Sequence, residues 1–295
     1  MKPAPFAYAR ADSIEEACEV LYREGENARI LAGGQSLGAM LNMRIATPSV
    51  LIDINRIASL DRIEAADSLV RTGAIVRQAA ALKDPFIASQ IPLLAAALPH
   101  VGHYQTRSRG TLAGSVAHAD PSAEIPLVLA VLNGFVELAS RRKRRRIPAR
   151  EFFVSALTTK RAPEEMIVAL HWPAAFSGAY YGFREYALRA GDYAIAAAAC
   201  FVKRPNAGTP GLFTIGFAGC ADRPQVLEQS FSDDETGPAL ISALAAEATE
   251  KIECKGDLHA SAAYRRQLVG LLCKELAAEA FKFFERSAEN VEAGS

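Results

Sequence analysis

The chain has few cysteines and none of them is grouped. The five, Cys18, Cys200, Cys220, Cys254 and Cys273, make no C-x-x-C pair. That excludes a disulfide framework, a zinc site and the clustered thiolates of an iron–sulfur centre. A cluster that serves this protein is therefore expected on another chain. The five histidines also lack metal spacing; His100 and His103 come closest and read as polar loop residues. Neither charge is in excess: Lys plus Arg and Asp plus Glu each total 33. A dedicated nucleic-acid binder is normally basic and is not expected here. No apolar run reaches the roughly 20 residues of a membrane span. The start, "MKPAPFAYARADS", lacks the apolar stretch of a secretion signal, so a cytoplasmic location is expected. Two nucleotide signatures are missing as well. There is no G-x-G-x-x-G fingerprint. Gly33 and Gly38 have P-loop spacing, but Ala39 and Met40 stand where Lys and Ser/Thr are needed.

What is present is an ordinary globular composition, 50% hydrophobic over 295 residues, enough for two or three domains. Ser13 and Glu16 form an S-x-x-E capping box, followed by Ile14, Ala17, Cys18 and Leu21 on one helical face. "ARILAGG" reads as a strand entering a glycine loop, "LGAMLNMRI" as a helix, and "SVLIDI" and "LVRTGAIV" as strands. "IPLLAAALPHVGH" reads as an apolar helix. A second glycine loop, Gly110 to Gly114, precedes another apolar helix from about Ala123. "GFVELAS" and "RIPAREFF" read as strands joined by "RRKRRR", a basic hairpin tip that is either simply solvated or turned to an acidic partner. "EMIVALHWP" is a further strand that Pro173 closes. Beyond about residue 178 come strand-like segments with small and aromatic residues, then two helices. The last carries Leu268, Leu272, Leu276, Ala280 and Phe284 as one apolar stripe. The polar tail 289–295 is expected to fray.

The two glycine segments are the unusual feature. "LAGGQSLGAM" and "RGTLAGSVAHADP" both place small residues where backbone N–H groups can converge on an anion. One such loop holds a pyrophosphate weakly; two that face each other supply enough donors for a large cofactor, without a basic residue in the cradle. Read singly, either loop is equally a tight turn.

Together, "AGGQSLGAMLNMRIATPSVLIDINRI" and "RSRGTLAGSVAHADPSAEIPLVLAVL" resemble the FAD-binding medium subunit of molybdenum hydroxylases, the carbon monoxide dehydrogenase and xanthine dehydrogenase family. "LRAGDYAIAAAAC" and "GDLHASAAYRRQLVGLL" extend the resemblance over nearly the whole chain. It implies an α+β fold: a vanillyl-alcohol-oxidase-type FAD fold with a C-terminal sheet-plus-helices domain. The implied domains are an N-terminal lobe at 1–57, a middle domain at 58–177 and a C-terminal domain at 178–288. The resemblance assigns Ala32, Gly33, Gly34, Gln35, Ser36, Leu37, Gly38 and Ala39 to the FAD pyrophosphate, and Thr111, Ala113, Gly114 and Ser115 to a second set of donors. His118 and Asp120 would lie near the flavin, Glu165 and Ile167 beside the adenine, and Asp192 and Tyr193 would reach the cofactor from the C-terminal lobe. Two departures stand out. Ala113 replaces the first glycine of the family's second pair, and the first motif ends Gly38-Ala39 rather than in a bulky apolar residue and Pro.

The implied function is electron transfer. A molybdopterin large subunit would hydroxylate the substrate, and a small subunit with two [2Fe-2S] clusters would deliver electrons to the FAD held here. NAD, oxygen, a quinone or another carrier would take them, in a dimer of heterotrimers. No catalytic acid or base and no metal ligand is assigned to this chain. Two rivals remain at this point: a self-contained flavin oxidase with His118 as its base, and a flavin-free binding module.

Overall fold

Ser13 opens the first helix as expected: its hydroxyl accepts from the Glu16 N–H at 3.1 Å, and the Glu16 carboxylate reaches back to the Asp12 N–H at 2.8 Å. The computed structural model describes residues 2–206, 209–232 and 237–292. In chain order the elements are β1 (Ala7–Arg10), α1 (Ile14–Glu24), β2 (Ala28–Leu31), α2 (Gln35–Asn42), β3 (Val50–Asp53), β4 (Ile63–Ala66), β5 (Leu69–Gly73) and α3 (Gln78–Lys83). Then follow α4 (Pro85–Gln90), α5 (Pro92–Ala97), α6 (Tyr104–Arg109), α7 (Leu112–His118), α8 (Glu124–Val131), β6 (Phe135–Ala139), β7 (Arg144–Pro148) and α9 (Ala149–Phe152). The remainder is β8 (Phe153–Ser155), β9 (Thr158–Thr159), β10 (Met166–Pro173), β11 (Tyr180–Tyr186), β12 (Ala196–Lys203), β13 (Gly211–Ala218), β14 (Gln225–Phe231), α10 (Pro238–Lys251) and α11 (Ala262–Glu292). This is the mixed α+β content that the resemblance implies.

The chain forms two compact units. The first runs to Pro85 and adds His103–Asp120 and Asn133–Ala174; the second takes Phe86–Gly102, Pro121–Leu132 and the described residues from Ala175 on. Three segments of the stretch 58–177, namely Phe86–Gly102, Pro121–Leu132 and residues 175–177, thus belong to the second unit.

In the first unit, β1 and β2 both pair with β3 in parallel, giving the order β1-β3-β2. A second sheet, β4-β5-β10-β6-β7, is antiparallel. Its central strand β10 is buried almost throughout, which explains the unbroken apolar run "MIVAL". Two side chains of this strand find polar partners inside the chain, while His171 Nδ1 is buried without one. Trp172 Nε1 donates to Thr72 Oγ1 at 3.0 Å, and His171 Nε2 lies 2.6 Å from Glu137 Oε2.

The basic run is not a bare hairpin tip. Arg144, Arg145 and Arg146 lie in β7, and only residues 140–143 form the turn. Arg144 and Arg146 approach Glu137 at 3.7 and 4.0 Å. Arg145 grips Glu165 with a two-pronged guanidinium contact at 2.6 and 2.7 Å. Arg141 pairs with Glu19 at 2.9 Å and lies over the Tyr22 ring, while Arg142 donates to the Tyr22 hydroxyl at 3.1 Å. Three carboxylates, Glu19, Glu137 and Glu165, thus offset part of the positive run within its own unit.

In the second unit, β11-β12-β13-β14 form an antiparallel meander. Both faces are covered. Ala198, Cys200, Phe213, Ile215 and Phe217 join the core built with α10 and α11. The opposite face meets α8, which approaches so closely that a β-carbon on Gly216 would stand 2.5 Å from Val131. Small residues in β12 and β13 are therefore a packing requirement. α8 itself is buried on every side, as an all-round apolar helix must be. The predicted stripe on α11 is confirmed: Leu268, Leu272, Leu276, Ala280 and Phe284 are all buried. α11 continues to Glu292; residues 293–295 of the tail expected to fray lie outside the described residues. The strands β1, β4 and β14 were not expected, being short or polar and without clear alternation.

Candidate functional site

Both glycine segments belong to the first unit, and both are helix starts. After β2, Gly34 adopts φ +71° as the N-cap of α2, a left-handed backbone that glycine takes without strain. The Gly38 N–H returns to the Gly34 carbonyl at 2.8 Å. The amides of Gln35, Ser36 and Leu37 precede that first helical bond, and helix geometry gives them no acceptor of their own. They sit at the positive end of the helix dipole. Beside them, a β-carbon on Gly38 would meet nothing within 4 Å.

The second segment differs from the expected loop. Thr111 is the N-cap of α7, and its Oγ1 accepts the Gly114 N–H at 2.9 Å. The Leu112 N–H goes to the Val76 carbonyl at 3.1 Å and the Ser115 N–H to the Thr111 carbonyl at 3.2 Å. Of the five amides from Thr111 to Ser115, three are thus spent within the chain, and those of Thr111 and Ala113 stand outside these bonds. Helical geometry also accounts for Ala113 in place of glycine: its methyl is buried and its backbone needs no positive φ.

The two segments meet. A β-carbon on Gly33 would stand 2.8 Å from the Cα of Gly110 and would collide with the Arg109 carbonyl. Glycine at 33 is required by the other segment's backbone. A hydrogen-bonded chain then ties the pair. Asn55 Nδ2 donates to the Ala32 carbonyl at 3.0 Å and to Asp53 Oδ1 at 2.7 Å. Arg77 Nη2 donates to Asn55 Oδ1 at 2.5 Å, and Arg77 Nη1 donates to the Arg109 carbonyl. Asp53 also accepts from the Tyr8 hydroxyl. Burial works against its charge, but the bonds from Tyr8 and Asn55 outweigh that and hold its pKa below the usual carboxylate range. Arg77 is pushed below its usual value by burial and then by Arg109. The cradle was expected to lack a basic residue; Arg77 and Arg109 border it. Asn55 lies within the first stretch that carries the resemblance and Arg77 in neither stretch; no local signal marks either residue, and they join the glycines through the fold.

The other expected site residues divide. His118 ends α7, and Ala119 follows in a left-handed conformation at φ +53°. Asp120 is the last residue of that segment. Glu165 is 3% exposed, with both oxygens on Arg145 and one also accepting the Ala162 N–H at 2.8 Å. Its carboxylate is occupied within the chain, and Ile167 is buried in β10. Asp192 and Tyr193 lie in the second unit between β11 and β12. Tyr193 is 74% exposed, well outside the core.

Among the described residues, no group of three or more His, Cys, Asp or Glu could hold a metal ion. No helix among them is long and apolar enough to cross a membrane.

Comparison with known proteins gives a consistent result. Residues 4–175 match the FAD binding domain in molybdopterin dehydrogenase, and residues 181–280 match the CO dehydrogenase flavoprotein C-terminal domain. The nicotine 6-hydroxylase medium subunit of Paenarthrobacter nicotinovorans is 37% identical, covering 95% of this chain and 99% of that protein. The 6-hydroxypseudooxynicotine dehydrogenase complex subunit alpha of the same organism is 36% identical over 95% and 96%. Among solved structures, carbon monoxide dehydrogenase from Hydrogenophaga pseudoflava superposes with a TM-score of 0.88 at 28% identity, covering 96% of this chain and 99% of that one. Quinoline 2-oxidoreductase from Pseudomonas putida 86 gives 0.87 at 29% identity, covering 96% and 99%. The chain belongs to the family of FAD-binding medium subunits of molybdenum hydroxylases.

Proposed function

We propose that this chain is the FAD-holding electron-transfer subunit of a molybdenum hydroxylase complex. The approach of Gly33 to the Gly110 backbone carries the reading, because it joins two segments that motif spacing alone leaves separate. The residues fit a dinucleotide diphosphate. The α2 amides of Gln35, Ser36 and Leu37 point out of the helix start, Gly38 leaves open space beside them, and Arg77 supplies positive charge. When bound, FAD exchanges electrons singly or in pairs, which matches one-electron clusters to two-electron acceptors. The chain's own task is to bind and orient the cofactor.

In this reading Ala32, Gly33, Gly34, Gln35, Ser36, Leu37, Gly38 and Ala39 surround the diphosphate. Thr111, Ala113, Gly114 and Ser115 close the cradle more by shape than by donors. His118, Asp120, Asp192 and Tyr193 belong to the flavin end, and the backbone at Glu165 and Ile167 to the adenine end. The lobes 1–57, 58–177 and 178–288 are part of the same proposal. So are a [2Fe-2S] small subunit and a molybdopterin large subunit as partners, a dimer of heterotrimers, an external acceptor and a cytoplasmic location.

Co-purification from the native source tests this. Two further chains, one binding iron and one molybdenum, are expected, and the isolated chain should hold FAD without reducing it on addition of an organic substrate. Reduction of the flavin by such a substrate with no partner present would instead make the protein a self-contained oxidase.

A further inference from the structure

We propose that Arg77 and Asn55 are positioning residues that set the gap between the two glycine segments and supply its fixed positive charge; this rests on the FAD reading above. Three observations converge. First, the bonds run in both directions. Asn55 holds the Ala32 carbonyl at the mouth of the first segment, and Arg77 holds both Asn55 and the Arg109 carbonyl at the mouth of the second. The planar guanidinium reaches two acceptors in fixed directions, which a lysine ammonium on a flexible stem does not reproduce.

Second, the α7 segment spends the amides of Leu112, Gly114 and Ser115 internally. A diphosphate held there draws less on backbone donors than the motif implies and more on charge. Third, Arg77 is half-buried beside Arg109, and that environment disfavours its cationic form. An anion in the gap relieves this repulsion, so binding and the Arg77–Asn55 clamp reinforce one another.

FAD release from the purified full-length chain tests the inference, followed as flavin fluorescence after dilution at low and high salt. Asn55→Ala and Arg77→Gln should release FAD about tenfold faster than the parent chain, the effect of one lost charge-assisted hydrogen bond. Release from the parent should quicken with salt, and Arg77→Gln should flatten that dependence. Arg77→Lys should restore the salt dependence without restoring slow release, a split that general loss of stability does not produce. Melting of the FAD-free variants separates folding from binding. If the parent holds FAD and all three variants release it at the parental rate, the inference is overturned and the FAD reading stands. Arg77→Lys matching the parent in release would also overturn it. A parent chain that takes up no FAD would remove the FAD reading, and the inference with it.

Discussion

Gly33 lies so close to Gly110 that a β-carbon on the first would stand 2.8 Å from the Cα of the second. The glycine is there for a backbone, not only for a ligand. Gly33→Val should therefore force the segments apart, costing about 1–3 kcal/mol as overpacking does, and should lose FAD as well. Gly38→Ala makes the contrast. Its β-carbon meets nothing within 4 Å, and alanine in a helix is favoured by about 0.5–1 kcal/mol. The FAD-free variant should melt no lower than the parent while releasing FAD faster. Thermal melts and flavin fluorescence on both variants check this.

Gly114 is required by a cap. A β-carbon there would stand 2.6 Å from Thr111 Oγ1, the atom that accepts the Gly114 N–H. Gly114→Ala and Thr111→Val should each destabilise by about 1 kcal/mol. Because both remove the same bond, the double variant should cost less than the sum. Urea midpoints of the four proteins measure the coupling.

The arginine run separates into two classes. Arg141 and Arg142 are exposed, so replacing both by Gln should change stability by less than about 1 kcal/mol and leave flavin content alone. Arg145→Gln removes the fork from buried Glu165 and should cost about 1.5–3 kcal/mol. Urea titration of each variant gives the difference.

Acid should weaken the same pair. Burial disfavours ionised Glu165, but the Arg145 and Ala162 bonds prevail and place its pKa below the ordinary 4.5. A lowered carboxylate pKa contributes stability that is present above the unfolded value and lost as pH falls through the folded one. The stability gap between the parent and Glu165→Gln should thus be full at neutral pH and shrink below about pH 4. A gap that does not change with pH would contradict this.

Local signals carried much of the fold. The Ser13 and Glu16 box, the stripe from Leu268 to Phe284 and the apolar run of β10 were all readable, because each element's environment is written in adjacent residues. From sequence alone Ala113 and Gly114 read as loop, because their glycine-rich context hides the cap that Thr111 provides. Arg144, Arg145 and Arg146 read as a tip because alternating partners such as Glu137 and Glu165 are distant in sequence. In the candidate site, the glycines announced themselves by composition. Asn55 and Arg77 did not, since only the pairing of β3 and the Arg77–Thr111 bridge bring them to the glycines.

The most direct test is flavin retention through desalting after the purified chain and its Gly33→Val variant are each mixed with FAD. Stoichiometric FAD is expected on the parent and none on the valine variant. Equal retention by both, or none by the parent, would contradict the claim that the two glycine segments close on one cofactor.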